Sequence, residues 1–139
     1  MGVSTLDSVR ADERADGTVV EWDLEVVSLG QLRAAVRRLL APLARIGVED
    51  AVQLCDELAC NAVVHARAPR GCRLMVVDRG GWLRVEVDDA SPAPARIRRP
   101  DHTGGRGLIL VDQLATRWGV DYHGPGKTVW AELGTRGRG

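Results

Sequence analysis

At 139 residues the chain is long enough to bury one sizeable core and too short for two. Nineteen basic and nineteen acidic residues cancel, so no global charge field points to nucleic acid or to an anionic membrane. The hydrophobic share of 45% is ordinary for a globular protein, and no apolar run approaches the roughly 18 residues that suggest a membrane span.

In chain order, the opening MGVSTLDSVRADERADG is polar, lacks the apolar centre of a secretion signal, and reads as a flexible tail over residues 1–16. A cytoplasmic location is the expectation. Thr18 to Val27 reads as a strand, and Ser28 as the N-cap of a helix with Leu29, Leu32, Val36, Leu39, Leu43 and Ile46 on one stripe. Pro42 predicts a kink or an early end there, and Gly47 a stop. A second helix opens near Glu49 and Asp50, whose charges suit its positive end, and runs to about Ala66. Cys72 to Val77 and Trp82 to Val87, joined by Asp78, Arg79, Gly80 and Gly81, carry the signature of a β-hairpin.

Next, SPAPARIRRPDHT has the composition of a mobile loop. A glycine turn at Gly104, Gly105 and Gly107 then leads into a helical stretch with Leu108, Val111, Leu114 and Ala115. Trp118 is expected at the end of that helix, and Val129 to Leu133 as a last strand. Strands and helices in this order predict an α+β fold, a two-layer sandwich with helices on one face of a mixed sheet, over residues 17–134 with a tail at 135–139. Cys55, Cys60 and Cys72 are odd in number and lack metal-finger spacing, which argues against a zinc site or a disulfide framework. With Phe absent and Tyr122 the single Tyr, aromatic platforms for RNA or single-stranded DNA are missing; the four Trp read as packing residues.

Chemistry concentrates in three segments. Glu57 and Asn61 lie four apart in the second helix, so they leave one face about 6 Å apart along the axis. A carboxylate there can orient or deprotonate a nucleophile, and an amide oxygen can ligate a hard cation such as Mg²⁺. In VEVDDASP, alternation at Val85 and Val87 describes a strand that ends in Asp88 and Asp89. Only one of two adjacent strand residues can enter a given pocket, and the spacing to the turn selects Asp89, with Asp88 as the neighbour one register away. Glycines opening a helix let backbone N–H groups approach an anion, and the helix N-terminus favours phosphate.

This order, helix with Glu and Asn, strand ending in Asp, glycine turn and helix, resembles the nucleotide-binding motifs of the GHKL, or histidine-kinase-like, ATPase superfamily with its Bergerat-type sandwich. The likeness runs from about Val19 to Leu133 and is strongest to the bacterial anti-sigma factor serine kinases and their stand-alone actinobacterial relatives. It implies ATP and Mg²⁺ as ligands, Glu57 as general base and Asn61 as metal ligand. It also implies Asp89 as acceptor for the adenine amino group, Gly105, Arg106, Gly107 and Leu108 beside the phosphates, and Thr128 in GKTVWAEL as support for that aspartate. SPAPARIRRPDHT becomes the lid over the phosphates, with one or two of Arg96, Arg98, Arg99 and Arg106 expected to reach them. His102 is expected to be solvated, and His65 to pack on the face of Asn61.

One departure stands out: the family pattern Asp-x-Gly-x-Gly has Ser91 and Ala93 at its glycine positions here, so the turn after Asp89 is expected to differ. The resemblance implies a serine protein kinase that phosphorylates an anti-sigma factor antagonist and controls a sigma factor, with relatives that often form homodimers. Two alternatives stand beside it: a non-catalytic module of the same fold that captures a partner, and an autonomous ATPase. The last is disfavoured because the chain shows no second domain for hydrolysis to drive.

Overall fold

The computed structural model describes residues 9–14, 17–42, 47–77, 80–91 and 107–134. Nine elements follow one another: β1 (Val9–Arg14), β2 (Gly17–Asp23), α1 (Leu29–Leu40), α2 (Val48–His65), β3 (Gly71–Val77), β4 (Trp82–Asp89), α3 (Gly107–Leu114), β5 (Arg117–His123) and β6 (Gly126–Gly134). The strands form one six-stranded sheet in the order β1-β2-β3-β4-β6-β5. The helices lie on one face, as the sequence predicts for an α+β sandwich.

Every described pairing is antiparallel, where a mixed sheet was expected. Topology supplies the reason. The α1–α2 hairpin returns the chain antiparallel to β2, and the single crossover through α3 does make β5 run the same way as β4. The β5–β6 hairpin then slots β6 between those two strands, so they never meet. Gly124, at φ 57° in the hairpin turn, takes the left-handed conformation that other residues resist.

Three further readings are corrected. Residues 9–14 belong to an edge strand paired from Val9–Trp22 to Arg14–Gly17, not to a loose tail. The strand expected to Val27 stops at Asp23, where the Asp23 carbonyl accepts from the N–H groups of Val26 and Val27 and turns the chain. Trp118 lies in β5, because α3 ends at Leu114.

Ser28 caps α1 as predicted, through a reciprocal box: its hydroxyl accepts from the Gln31 N–H at 3.0 Å while the Gln31 side chain accepts from the Ser28 N–H at 2.8 Å. The helix ends at Leu40, just before Pro42, and Leu43 and Ile46 lie outside the described residues. Leu32, Val36 and Leu40 are fully buried along its stripe. Ion pairs Arg33–Asp56 at 2.8 Å and Arg37–Glu49 at 2.9 Å join its outer side to α2.

The core is the seam between the helices and the inner sheet face. Leu74, Leu83, Val85, Val87 and Ala131 meet Leu54, Cys55, Leu58 and Ala59 of α2 there. Fully burying each Leu or Val contributes about 1.5–3 kcal/mol. Burial pushes the Cys72 thiol up to about 12, so this cysteine is a packing group. The outer face carries a charge ladder instead. Glu86 pairs with Arg73 and Arg84, and Glu132 with Arg84 at 2.8 Å and Arg117 at 2.6 Å. The Arg84 guanidinium also sits 4.2 Å over the Trp130 ring.

Candidate functional site

Helix α2 is the spine of the site. Its inward face buries Ala51, Leu54, Cys55, Leu58, Ala59 and Ala62, and the small residues let it lie close to the sheet. Glu57 and Asn61 flank that face and are half-buried. Burial, and then the neighbouring charge of Asp56, push the Glu57 carboxyl above its ordinary value, opposed by a hydrogen bond to Gln53. A carboxylate with raised proton affinity is suited to accept a proton. His65, the last residue of α2, is exposed rather than packed.

The exit of α2 is fastened to the exit of β4. Arg70 donates to the Val63 carbonyl at 2.8 Å, closing the helix end, and is held by a two-pronged pair with Glu25 at 2.8 and 3.1 Å. The Ala90 N–H then donates to the Arg67 carbonyl at 3.0 Å. The last turns of α2, which carry Asn61, therefore stand beside the end of β4, which carries Asp89.

Strand alternation separates the two aspartates. Leu83, Val85, Val87 and Asp89 face the helices, whereas Arg84, Glu86 and Asp88 face outward. Asp89 is thus the one on the side of Glu57 and Asn61. It is buried, and its Oδ1 accepts from the Ser91 N–H at 2.7 Å and from the Lys127 ammonium at 3.2 Å. Lys127 is opposite Asp89 in the β4–β6 register and is itself buried. Gly126 makes this approach feasible, since a Cβ there would stand 2.2 Å from the Asp89 carbonyl oxygen.

Thr128 does not support Asp89. On β6, Lys127, Val129 and Ala131 face the helices, so Thr128 points to the outer face, where its hydroxyl donates to Asp88. With that proton committed, the Thr128 oxygen accepts from the Nε2–H of His123 at 2.8 Å. Arg73 lies 3.6 Å from Asp88 as well. Asp88 is therefore part of the outer ladder, and the residue that engages Asp89 is Lys127, which the sequence reading passed over. The alternation of Val129 and Ala131 was the available signal.

Helix α3 begins at Gly107 and contains the helical stretch expected from Leu108 through Leu114. Leu108 is 3% exposed and Val111 is fully buried, so Leu108 can offer a ligand its backbone N–H but not its side chain. Gly104, Gly105, Arg106, Ala93, Arg96, Arg98, Arg99 and His102 lie outside the described residues. Among the described residues no three His, Cys, Asp or Glu side chains cluster as a metal cage. The half-buried Asn61 carries an amide oxygen, a hard donor of the kind Mg²⁺ accepts when water and phosphate complete its shell. No helix among the described residues is long and apolar enough to cross a membrane.

Comparison with known proteins agrees with this fold. The sequence family described as the histidine kinase-like ATPase domain matches residues 23–133. Among solved structures, the chain is similar to the RsbU and RsbW domains of Rv1364c from Mycobacterium tuberculosis, with 18% identity and a TM-score of 0.60. That likeness covers 85% of this chain and 31% of the other, and at such identity it speaks for the fold. No curated protein matches the chain.

Proposed function

The chain belongs to the histidine-kinase-like ATPase family, and from that premise we propose that it is an ATP-binding regulator of the anti-sigma factor type, a serine protein kinase acting on a small antagonist protein. The observation that carries the proposal is the arrangement of α2 and β4: a carboxylate of raised proton affinity at Glu57, an amide at Asn61, and a buried aspartate at the adjoining strand end. The RsbW domain named in the similar structure favours this branch of the family.

In this reading Asp89 accepts from the exocyclic amino group of adenine, and the glycine turn around Gly105, Arg106 and Gly107 receives the phosphates at the start of α3. Asn61 would hold Mg²⁺, which when bound neutralises charge on the phosphates. Glu57 orients the antagonist serine and takes its proton as the serine oxygen bonds to the γ-phosphorus and the bond to ADP breaks. Sigma factor and antagonist are the partners, and a cytoplasmic homodimer of the sandwich that runs from β1 to β6 is the working form.

The test is transfer of labelled γ-phosphate to a serine of a cognate antagonist. Glu57→Gln should slow transfer by roughly 10²–10⁴-fold while ATP still binds. Transfer at the wild-type rate in Glu57→Gln would remove the base from the mechanism. The engagement of Asp89 by Lys127, together with Ser91 in the turn, favours one second reading, a module that captures its partner without phosphorylating it. That reading predicts partner binding indifferent to ATP.

A further inference from the structure

The pair at the end of β4 holds more hydrogen-bonding capacity than the fold uses. The side chains of Asp89 and Lys127 are only 2% and 7% exposed, and because no enclosed side-chain oxygen or nitrogen among the described residues lacks a partner, the unbonded atoms of the pair stand at the narrow opening where it meets solvent. Both hydrogen bonds of Asp89 among the described residues end on Oδ1. A carboxylate accepts at two oxygens, which leaves Oδ2. Lys127 donates to that Oδ1 at 3.2 Å and to the Ser91 carbonyl at 3.4 Å. An ammonium has three N–H donors, which leaves one. An acceptor and a donor, both largely dehydrated, therefore stand side by side on the helix-facing side of the sheet. Unused capacity at a nearly closed opening, with little water to fill it, suits a ligand with the reverse pattern.

The adenine edge has that reverse pattern, an amino donor beside the acceptor nitrogen N1. We propose that Lys127 is a base-reading residue, its remaining N–H donating to N1 of an adenine whose amino group donates to Oδ2 of Asp89. The proposal rests on the reading of Asp89 as the base acceptor and adds a second contact to it. Gly126 sets the geometry, because only a residue without Cβ lets β6 pass the Asp89 carbonyl closely enough to place the ammonium there. The Ser91 carbonyl steers the ammonium from the other side.

The experiment is calorimetric titration of the full chain, in Mg²⁺, with ATP and with 1-deaza-ATP, in which C–H replaces N1. Wild type should bind 1-deaza-ATP more weakly by roughly 10- to 100-fold, the loss of one hydrogen bond from a charged donor. Lys127→Met should weaken ATP by a similar factor and abolish the difference between the two nucleotides. The wild-type comparison needs no substitution, so it decides the matter even if Lys127→Met does not fold. Equal wild-type affinity for the two nucleotides would overturn the role of Lys127 and leave the ATP reading standing, with the pair acting only to fasten the strands. Absence of binding by either nucleotide at millimolar concentration would overturn both.

Discussion

Replacing Asp89 by Asn separates a pocket residue from a structural one, and the structure predicts that this position is both. Asn is nearly isosteric, and its amide oxygen can still accept from the Ser91 N–H that now donates at 2.7 Å. It cannot neutralise the Lys127 ammonium, which with 7% side-chain exposure has little water to turn to. Breaking a buried ion pair from one side costs about 3–5 kcal/mol, a large part of the roughly 5–15 kcal/mol that holds a domain folded. Asp88 is 39% exposed on the outer face, so Asp88→Asn should cost about 0.5–1.5 kcal/mol, the worth of one ordinary hydrogen bond. Urea unfolding without nucleotide, followed by tryptophan fluorescence, measures both. Removing both charges in Asp89→Asn/Lys127→Met should return part of the loss, because no unpaired ion then remains. An unchanged urea midpoint for Asp89→Asn, or a larger loss for Asp88→Asn, would refute the assignment of the buried pair.

Three other outcomes follow from the same geometry. Gly126→Ala should lower the urea midpoint by an amount equivalent to about 1–3 kcal/mol, because its methyl group would meet the Asp89 carbonyl and force the strands apart; a neutral effect would mean the strands yield freely. Ser28→Ala should cost about 1 kcal/mol in the same measurement through loss of the α1 cap, with nucleotide binding untouched. Stability should also respond to pH in two opposed ways. Burial resists ionisation of Glu86 and Glu132, but the guanidinium groups of Arg73, Arg84 and Arg117 outweigh it and hold both carboxyls below their ordinary values. Their contribution is full above the ordinary carboxylate range and is lost as pH falls through the lowered values. Glu57 is raised, so its contribution is full below that range and is lost as pH rises through its raised value. Glu57→Gln should therefore raise the melting temperature near neutral pH and leave it unchanged in acid, as read by calorimetry.

Much of the fold is legible where hydrophobic period and burial coincide. The stripe of α1, the long α2 and the β3–β4 hairpin all follow from positions that meet the core. Strands β1 and β5 escape notice because they lie at the two edges of the sheet and read as polar, VRADER and RWGVDYH, with little apolar alternation to betray them. At the site, the face of Asp89 is legible from Val85 and Val87, since alternation carries the pattern to the strand end. The same argument run along β6 from Val129 selects Lys127 and rejects Thr128. A family pattern obscured it, and so did the expectation that lysine is a surface residue. Alternation gives the face of Lys127, but the partner that justifies its burial, a carboxylate 38 positions away, comes into view only once the strand opposite is known.

On the proposed function, adenine nucleotide is held by Asp89 and by a cation at Asn61. Calorimetric titration with ATP, with and without Mg²⁺, on wild type and Asn61→Ala tests it most directly. Wild type should show saturable binding that strengthens with Mg²⁺, and Asn61→Ala should lose the Mg²⁺-dependent part while melting as wild type does without nucleotide. No detectable binding by wild type at millimolar ATP, or a Mg²⁺ effect undiminished in Asn61→Ala, would contradict it.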